Sequence, residues 1–160
     1  NINVSIDHNL HRLLGMQDLA FSEFTEYEKS LNSDIERISL ISEKLLSNID
    51  YKEVRNIRNK NFNYFNCTFS SLNKLIIDEG SLDCFCYPLL LEKSINKKDL
   101  YKENIFIPNY WIDTINRTDS KNYEFECEIS TKLLPLPIDH RYGIEDLKKV
   151  TDKIMKLING

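Results

Sequence analysis

The chain has 160 residues, of which 41% are hydrophobic and 29% are charged, a composition that excludes an intrinsically disordered protein. With 21 basic and 25 acidic residues its net charge is −4, which argues against nucleic acid and anionic membrane surfaces as partners. The longest apolar run, which includes 88–91 and stops at Glu92, is far shorter than the roughly 18 residues of a membrane-spanning helix. The composition therefore predicts an ordinary globular protein.

The first half of the chain is dominated by helical periodicity. A broken helical pattern covers 8–32, and apolar residues at every third or fourth position predict a second helix over 33–48, with a Ser-Asp cap at its start. Asp50 followed by Glu53 repeats the capping signal, so we expect a third, long helix from there to about Lys74. The basic residues of this third helix are expected to line its solvent face.

The second half, after Gly80, alternates between strand and helix patterns. Continuous apolar and β-branched runs predict three strands, over 83–91, 105–107 and 133–138. Amphipathic patterns predict helices over 96–103 and 122–132 and a terminal helix with Glu145 in its first turn. The last strand carries two prolines and is therefore expected at a sheet edge. We predict an α+β (α/β-like) fold in which helices cover a small sheet of three to four strands.

The cysteines and histidines predict neither disulfides nor a metal site. Three of the four cysteines lie in apolar surroundings, where a thiol behaves as a small hydrophobe, so we expect reduced cysteines and a cytoplasmic protein. His8 and His11 are spaced to share a helix face, but two histidines alone bind a metal weakly. The sequence contains no glycine-rich phosphate loop and no common hydrolase motif.

Four stretches of the sequence match motifs of one enzyme family, in the family's order. They comprise residues 11–15 with 27–31, 49–54 with 58–64, 87–90 with 105–111, and 134–147. The second contains the pattern R-x-x-N-[FY]-x-Y, and the fourth is similar to P-[IL]-D-Q-R-Y-x-x-[ED]-D, with His140 where relatives commonly carry glutamine. On these residues the chain resembles the C-terminal half of the sugar aminotransferase (DegT/StrS) family of pyridoxal-phosphate proteins, especially bacterial members of surface-polysaccharide biosynthesis.

The resemblance implies two structural segments in this chain and a separate domain that carries the catalytic groups. Residues 1–48 would form a helical interdomain segment, and 49–160 the small C-terminal domain of a fold-type-I pyridoxal-phosphate transferase. The chain begins at Asn1 without methionine, so we expect it to be part of a longer protein. The resemblance implies that a large N-terminal domain of that protein carries the catalytic lysine and the cofactor. The implied partners are that large domain, a second copy in a homodimer, a nucleotide-linked keto-sugar and an amino-acid donor.

In this fold the small domain is expected to close over the substrate. The candidate substrate-binding residues are Tyr110, Trp111, His140, Arg141 and Tyr142. Arg141 offers a planar fork for a carboxylate or phosphate, or alternatively a salt bridge with Asp139, Glu145 or Asp146. The alternative for Trp111 is a core position, and for His140 a surface position. We expect no catalytic, cofactor-binding or metal-binding residue in this chain, and the lysine of its Ser42–Lys44 tripeptide is expected to be solvated.

Two other functions stay open on the sequence. A stand-alone interaction domain would use the amphipathic helices between 33 and 74 to pair with a partner chain, and a divergent family member would keep the fold without catalysis. The encoded reading frame separates these functions from the enzyme. An upstream region bearing a Ser-and-Lys loop supports the enzyme, and a start codon close to Asn1 supports the interaction domain.

Overall fold

The computed structural model describes residues 6–31, 37–78, 84–117 and 122–159. Contacts divide the chain into two units, Asn1–Asn48 and Ile49–Gly160. The first contains α1 (Asp7–Leu13), α2 (Gln17–Ser30) and α3 (Leu40–Ser47). The second contains, in chain order, α4 (Tyr51–Phe69), β1 (Cys86–Leu89), α5 (Lys97–Tyr101), α6 (Thr114–Arg117), α7 (Glu124–Lys132), β2 (Leu134–Pro137) and α8 (Ile144–Asn159). This mixture of helices and strands agrees with the predicted α+β class.

The predicted break in the first helical stretch lies at Gly15, between α1 and α2. There φ is +78°, a left-handed conformation that glycine adopts at little cost. The two helices pack on each other, and the His8 ring lies 5.6 Å from that of Phe24 and 5.7 Å from that of Tyr27. His11 Nδ1 lies 2.7 Å from a carboxylate oxygen of Glu23, a contact that sequence spacing does not reveal.

The helix predicted over 33–48, which is α3, begins later than predicted. It starts at Leu40 because the hydroxyl of Ser39 accepts the Ser42 amide hydrogen at 3.1 Å, and Ser39 itself has an extended backbone. The expectation of helix at residues 37–39 is therefore wrong, and the predicted cap at Ser33 and Asp34 lies outside the described residues.

The long helix α4 has the predicted cap, since an Asp50 carboxylate oxygen accepts the Glu53 amide hydrogen at 3.0 Å. It ends at Phe69, five residues before the expected Lys74, and beyond it the Asn73 side chain bonds to the backbone at the end of β1. Asn73 Nδ2 donates to the Pro88 carbonyl at 2.8 Å, and its Oδ1 accepts from the Leu90 amide at 3.0 Å. These bonds occupy the outer edge of β1.

Within the described residues the sheet has two strands instead of the predicted three to four. β1 and β2 pair antiparallel, with Tyr87 opposite Leu136 and Pro88 opposite Pro135. Neither proline has an N–H, so Pro88 and Pro135 cannot form the hydrogen bonds between the strands. The neighbouring residue pairs form them instead. Pro137 lies two residues after Pro135, so both nitrogens face the same edge of β2, the edge away from β1. Because neither proline has an N–H, this outer edge has few hydrogen-bond donors.

The predicted strand at 105–107 is not a strand. Its backbone groups bond elsewhere, since the Ile105 amide donates to the Leu100 carbonyl and the Tyr101 hydroxyl donates to the Ile107 carbonyl, both at 3.0 Å. Ile107 is nonetheless buried, so the apolar pattern there reports burial and not strand pairing. Pro108 then removes the next possible donor.

The hydrophobic core belongs entirely to the second unit. It is formed by fourteen residues: Phe62, Phe65, Phe69, Tyr87, Leu89, Leu91, Leu100, Ile107, Leu134, Leu136, Ile138, Leu147, Val150 and Ile154. The aromatic face of α4 and the aliphatic face of α8 therefore pack on each other and share one core with the sheet residues, and the periodicity of both helices predicts these buried faces. The buried apolar positions of α8 are the predicted Leu147, Val150 and Ile154.

The other helices of the second unit are short. α5 and α7 lie within the predicted ranges 96–103 and 122–132, whereas α6 was not predicted. The four cysteines all lie in the described residues, and none of them forms a disulfide. Of the helices in the described segments, none combines the length and the apolar character needed to cross a lipid bilayer.

Candidate functional site

The turn that follows β2, residues 139–142, is fixed by a single side chain from α4. Asn61 is buried, and its Nδ2 lies 3.3 Å from the carbonyl oxygen of Ile138 and 3.2 Å from those of Asp139 and Tyr142. An amide group has two N–H donors, so the three carbonyls share them. The turn that carries three of the five candidate site residues is thereby anchored to the core.

Three basic side chains surround the carboxylate of Asp139. Arg141 donates to Asp139 Oδ1 from Nε at 2.8 Å and from its backbone amide at 3.0 Å. His140 Nδ1 lies 3.5 Å from the same oxygen, and Arg58 Nη2 lies 3.9 Å from Oδ2. Two arginines and one histidine thus share a single carboxylate, which leaves an excess of positive charge at the turn when they are protonated.

Arg58 and Arg141 differ in how far their donors are satisfied. Arg141 is largely exposed and makes the salt bridge with Asp139 that was its alternative role. Arg58 is only partly exposed, and its buried Nε has no hydrogen-bond partner among the residues that the structure describes. A guanidinium prefers planar, bidentate oxyanions, so an incoming carboxylate or phosphate would satisfy donors that Asp139 leaves open.

The electrostatics of the turn follow from these contacts. Burial acts to raise the pKa of the Asp139 carboxyl, but the side-chain and backbone hydrogen bonds from Arg141 outweigh it, and the pKa lies below its ordinary value. Asp139 is therefore ionised at neutral pH and holds the Arg141 side chain beside the turn. The arrangement presents cationic donors around one fixed anion.

The other two candidate residues, Tyr110 and Trp111, form a separate aromatic pair with ring centroids 5.6 Å apart. The Tyr110 ring also meets Phe85 edge-on at 5.7 Å. Trp111 is 60% exposed, so it is not a core residue, and it has a left-handed φ of +53° that a large side chain rarely adopts. Its carbonyl accepts bonds from the backbone and hydroxyl of Thr114, which fix this conformation.

The structure does not bring all five candidates together. Among the described residues, no hydrogen bond, ion pair or ring contact joins the aromatic pair to His140, Arg141 or Tyr142. Tyr142 instead lines a cleft beside α8. The candidates therefore form two separate surfaces.

Sequence reasoning missed Arg58 and Asn61 as site residues. Both lie in the R-x-x-N stretch of α4, and that stretch contacts the turn formed by another matching stretch, about 80 positions further along. The signal was a polar residue, Asn61, on the apolar face of an amphipathic helix. A buried polar side chain requires a hydrogen-bond partner, which points to a specific contact.

Lys97, the lysine whose pKa is lowered by burial, does not fit a role in holding pyridoxal phosphate. That cofactor needs a lysine, an acidic partner for its ring nitrogen and a phosphate pocket in one place. Burial lowers the pKa of Lys97, but its ammonium donates to the Pro108 carbonyl at 3.2 Å and to Asn109 Oδ1 at 2.5 Å. Burial likewise raises the pKa of Cys86 to about 11, so this thiol is protonated at neutral pH and a poor nucleophile.

Comparisons with known proteins add no relative. No family model, no curated protein and no solved structure matches the chain.

Proposed function

We propose that this chain is the small C-terminal domain of a pyridoxal-phosphate-dependent aminotransferase that acts on a nucleotide-linked keto-sugar in surface-polysaccharide biosynthesis. In this proposal a large N-terminal domain supplies the cofactor and its lysine, and the protein is a homodimer. The small domain supplies part of the wall of the substrate cleft. The protein would act in the cytoplasm.

One observation carries the proposal. Two of the stretches on which the resemblance rests, far apart in sequence, form one structural unit through Asn61 and the backbone of residues 138–142. Chance matches to family motifs have no reason to lie in contact. The contact between the two stretches therefore supports the proposal that both come from one family.

The chemistry of the turn is suited to binding and not to proton transfer. Arg141 and Arg58 would orient an anionic group of the substrate, a carboxylate or phosphate, while Asp139 keeps the Arg141 side chain in place. The exposed rings of Tyr110 and Trp111 offer a flat apolar surface for a base or sugar face.

The test uses the full-length gene product. The expected result is one pyridoxal phosphate per subunit, attached to a lysine outside the 160 residues, and amino transfer to a nucleotide-linked keto-sugar. Arg141→Gln should raise KM about tenfold with little change in kcat, because it removes a charge-assisted contact. Arg117→Gln, another exposed arginine paired with an aspartate, is the control and should change neither parameter. A full-length protein that binds no cofactor would refute the proposal.

A second candidate function, the stand-alone interaction domain, is favoured by the apolar surface of the first unit. Four large apolar side chains of this unit are each at least 73% exposed: Leu13, Leu14, Leu40 and Ile41. Several uncovered apolar side chains in one small unit are typical of an interaction surface. Such a surface is suited to pairing with a partner chain. An intact protein that begins near Asn1, lacks pyridoxal phosphate and sediments as a complex with a partner, lost in Leu40→Glu, would support this function instead.

A further inference from the structure

A cleft of about 560 Å³ is lined by α8 and by the loop that follows α5, within the volume range of small-molecule sites. No sequence motif pointed to it. Its apolar lining consists of Ile105, Phe106, Pro137, Tyr142, Leu147 and Val150. A cleft of this size with an apolar floor excludes water from one face of a bound molecule.

Two aromatic residues at this cleft are held in place yet exposed. Phe106 stacks on Tyr101 at 5.8 Å and is still 71% exposed. Tyr142 is 38% exposed, although it belongs to the turn anchored by Asn61. Rigid aromatic side chains lose little conformational entropy when they contact a ligand, and their flat faces suit a planar ring.

The polar side of the cleft is cationic. Lys149, Lys153 and Lys156 follow one another at intervals of four and three positions on α8, so they share one face of the helix. The cleft contains two carboxylates, those of Glu103 and Asp146. Three ammonium groups against two carboxylates leave an excess of one positive charge.

The three lysines are not equally committed to these acids. Lys153 is tightly paired with Glu103 at 3.0 Å, and the pKa of Glu103 is lowered chiefly by this hydrogen bond. Lys149 is 3.8 Å from Asp146, whose other oxygen already accepts the Gly143 amide hydrogen at 3.1 Å. Lys156 is exposed and makes no hydrogen bond or ion pair with the described residues. Lys156 nevertheless lies near enough to Glu103 to contribute to lowering its pKa. Lys149 and Lys156 therefore have more remaining capacity to bind an anion than Lys153 has.

We infer that this cleft binds a small molecule in which a phosphate group is attached to a planar ring, such as a nucleoside 5′-monophosphate. The ring would lie against Phe106 and Tyr142, and the phosphate would contact Lys149 and Lys156. A phosphate ester carries close to two negative charges at pH 7, which matches two available ammonium groups better than a carboxylate does. The inference rests on the cleft alone and does not depend on the proposed function.

The direct test is titration of the 160-residue chain with UMP and with AMP, followed by calorimetry and by amide chemical shifts. At least one nucleotide should bind saturably, with shifts concentrated in α8 and residues 103–106. Its nucleoside alone and inorganic phosphate alone should each bind at least about tenfold more weakly, because each keeps only one half of the recognition. No saturable binding of either nucleotide, or binding no tighter than phosphate, would overturn the inference.

Two variants with matched controls locate the site. Lys156→Gln and Phe106→Ser alter exposed side chains, so both should fold, and each should weaken nucleotide binding about three- to tenfold. The lysine control is Lys148→Gln on the same helix, where Lys148 pairs with Glu145 outside the cleft. The aromatic control is Phe125→Ser, an exposed phenylalanine of α7. Equal loss of binding in the variants and controls would show that the site is elsewhere.

Discussion

The two units of the chain differ most in how much apolar surface they bury. In the described part of Asn1–Asn48 the only buried residues are His8 and Ala20, whereas fourteen buried residues form the core of Ile49–Gly160. Both units are rich in leucine, isoleucine and phenylalanine. The difference therefore lies in packing and not in composition.

This difference in buried surface indicates that most of the free energy of unfolding comes from the second unit. Helices as short as α1 and α3, with seven and eight residues, are marginal in water unless packing stabilises them. The second unit packs α4 against α8 and β1 and anchors its turn through Asn61. We expect the second unit to unfold cooperatively, and the helices of the first to open at much lower free energy.

The largest expected effect tests this contrast with two phenylalanines. Phe65 is fully buried in the core, and Phe21 on α2 is 66% exposed. Phe65→Ala should lower the free energy of unfolding by about 3–5 kcal/mol, because it leaves a cavity in a packed core. Phe21→Ala should change it by no more than about 0.5 kcal/mol. Urea denaturation measures both, and similar losses in the two variants would contradict the division into a packed and an unpacked unit.

The next largest effect is expected at the anchor of the turn. Asn61→Asp keeps the shape of the side chain but replaces the donor Nδ2 with an oxygen that faces three carbonyls. It should destabilise the protein by about 2–3 kcal/mol at neutral pH, because a buried charged group is left without its partners. The control is Asn56→Asp on the exposed side of the same helix. An equal effect of the two substitutions would show that Asn61 does not anchor the turn.

How much of this fold was predictable depends on the range of each interaction. The buried faces of α4 and α8 repeat every three or four residues, so a local pattern places Phe62, Phe65 and Leu147 correctly. Strand pairing is a long-range property that no such repeat encodes. The apolar pattern at 105–107 therefore correctly indicated that Ile107 is buried. The strand pairing predicted from the same pattern was wrong.

The candidate site divides in the same way. Arg141 and His140 were chosen as candidates from the family resemblance. The possible Arg141–Asp139 salt bridge could be predicted from the charges of the two side chains, because these residues are close in sequence. The contribution of Arg58 depends on the contact of α4 with a turn about 80 residues later. The separation of Tyr110 and Trp111 from that turn is likewise set by tertiary structure, which residue spacing does not contain.

A smaller effect compares the two helix caps. Asp50→Ala removes the cap of α4, and it should cost about 1 kcal/mol of global stability because α4 belongs to the core. Ser39→Ala removes an equivalent bond from α3 in the first unit. It should leave the global unfolding midpoint unchanged and speed amide exchange only within α3, as hydrogen exchange measured by mass spectrometry would report. A shift of the midpoint in Ser39→Ala would mean that α3 unfolds together with the core.

The smallest effect concerns pH and the carboxylate at the centre of the turn. The pKa of Asp139 is lower in the folded protein, so its contacts stabilise the fold fully above the unfolded value of about 4, and this stabilisation disappears as pH falls through the lowered value. Asp139→Asn should therefore cost roughly 0.5–1 kcal/mol at pH 7, and the difference from the unsubstituted chain should shrink towards zero in acid. Urea midpoints between pH 2 and 7 measure this, with Asp152→Asn on the exposed side of α8 as the control. A difference that persists unchanged in acid would assign the loss to altered packing of the turn and not to the charge that Asp139 shares with its basic neighbours.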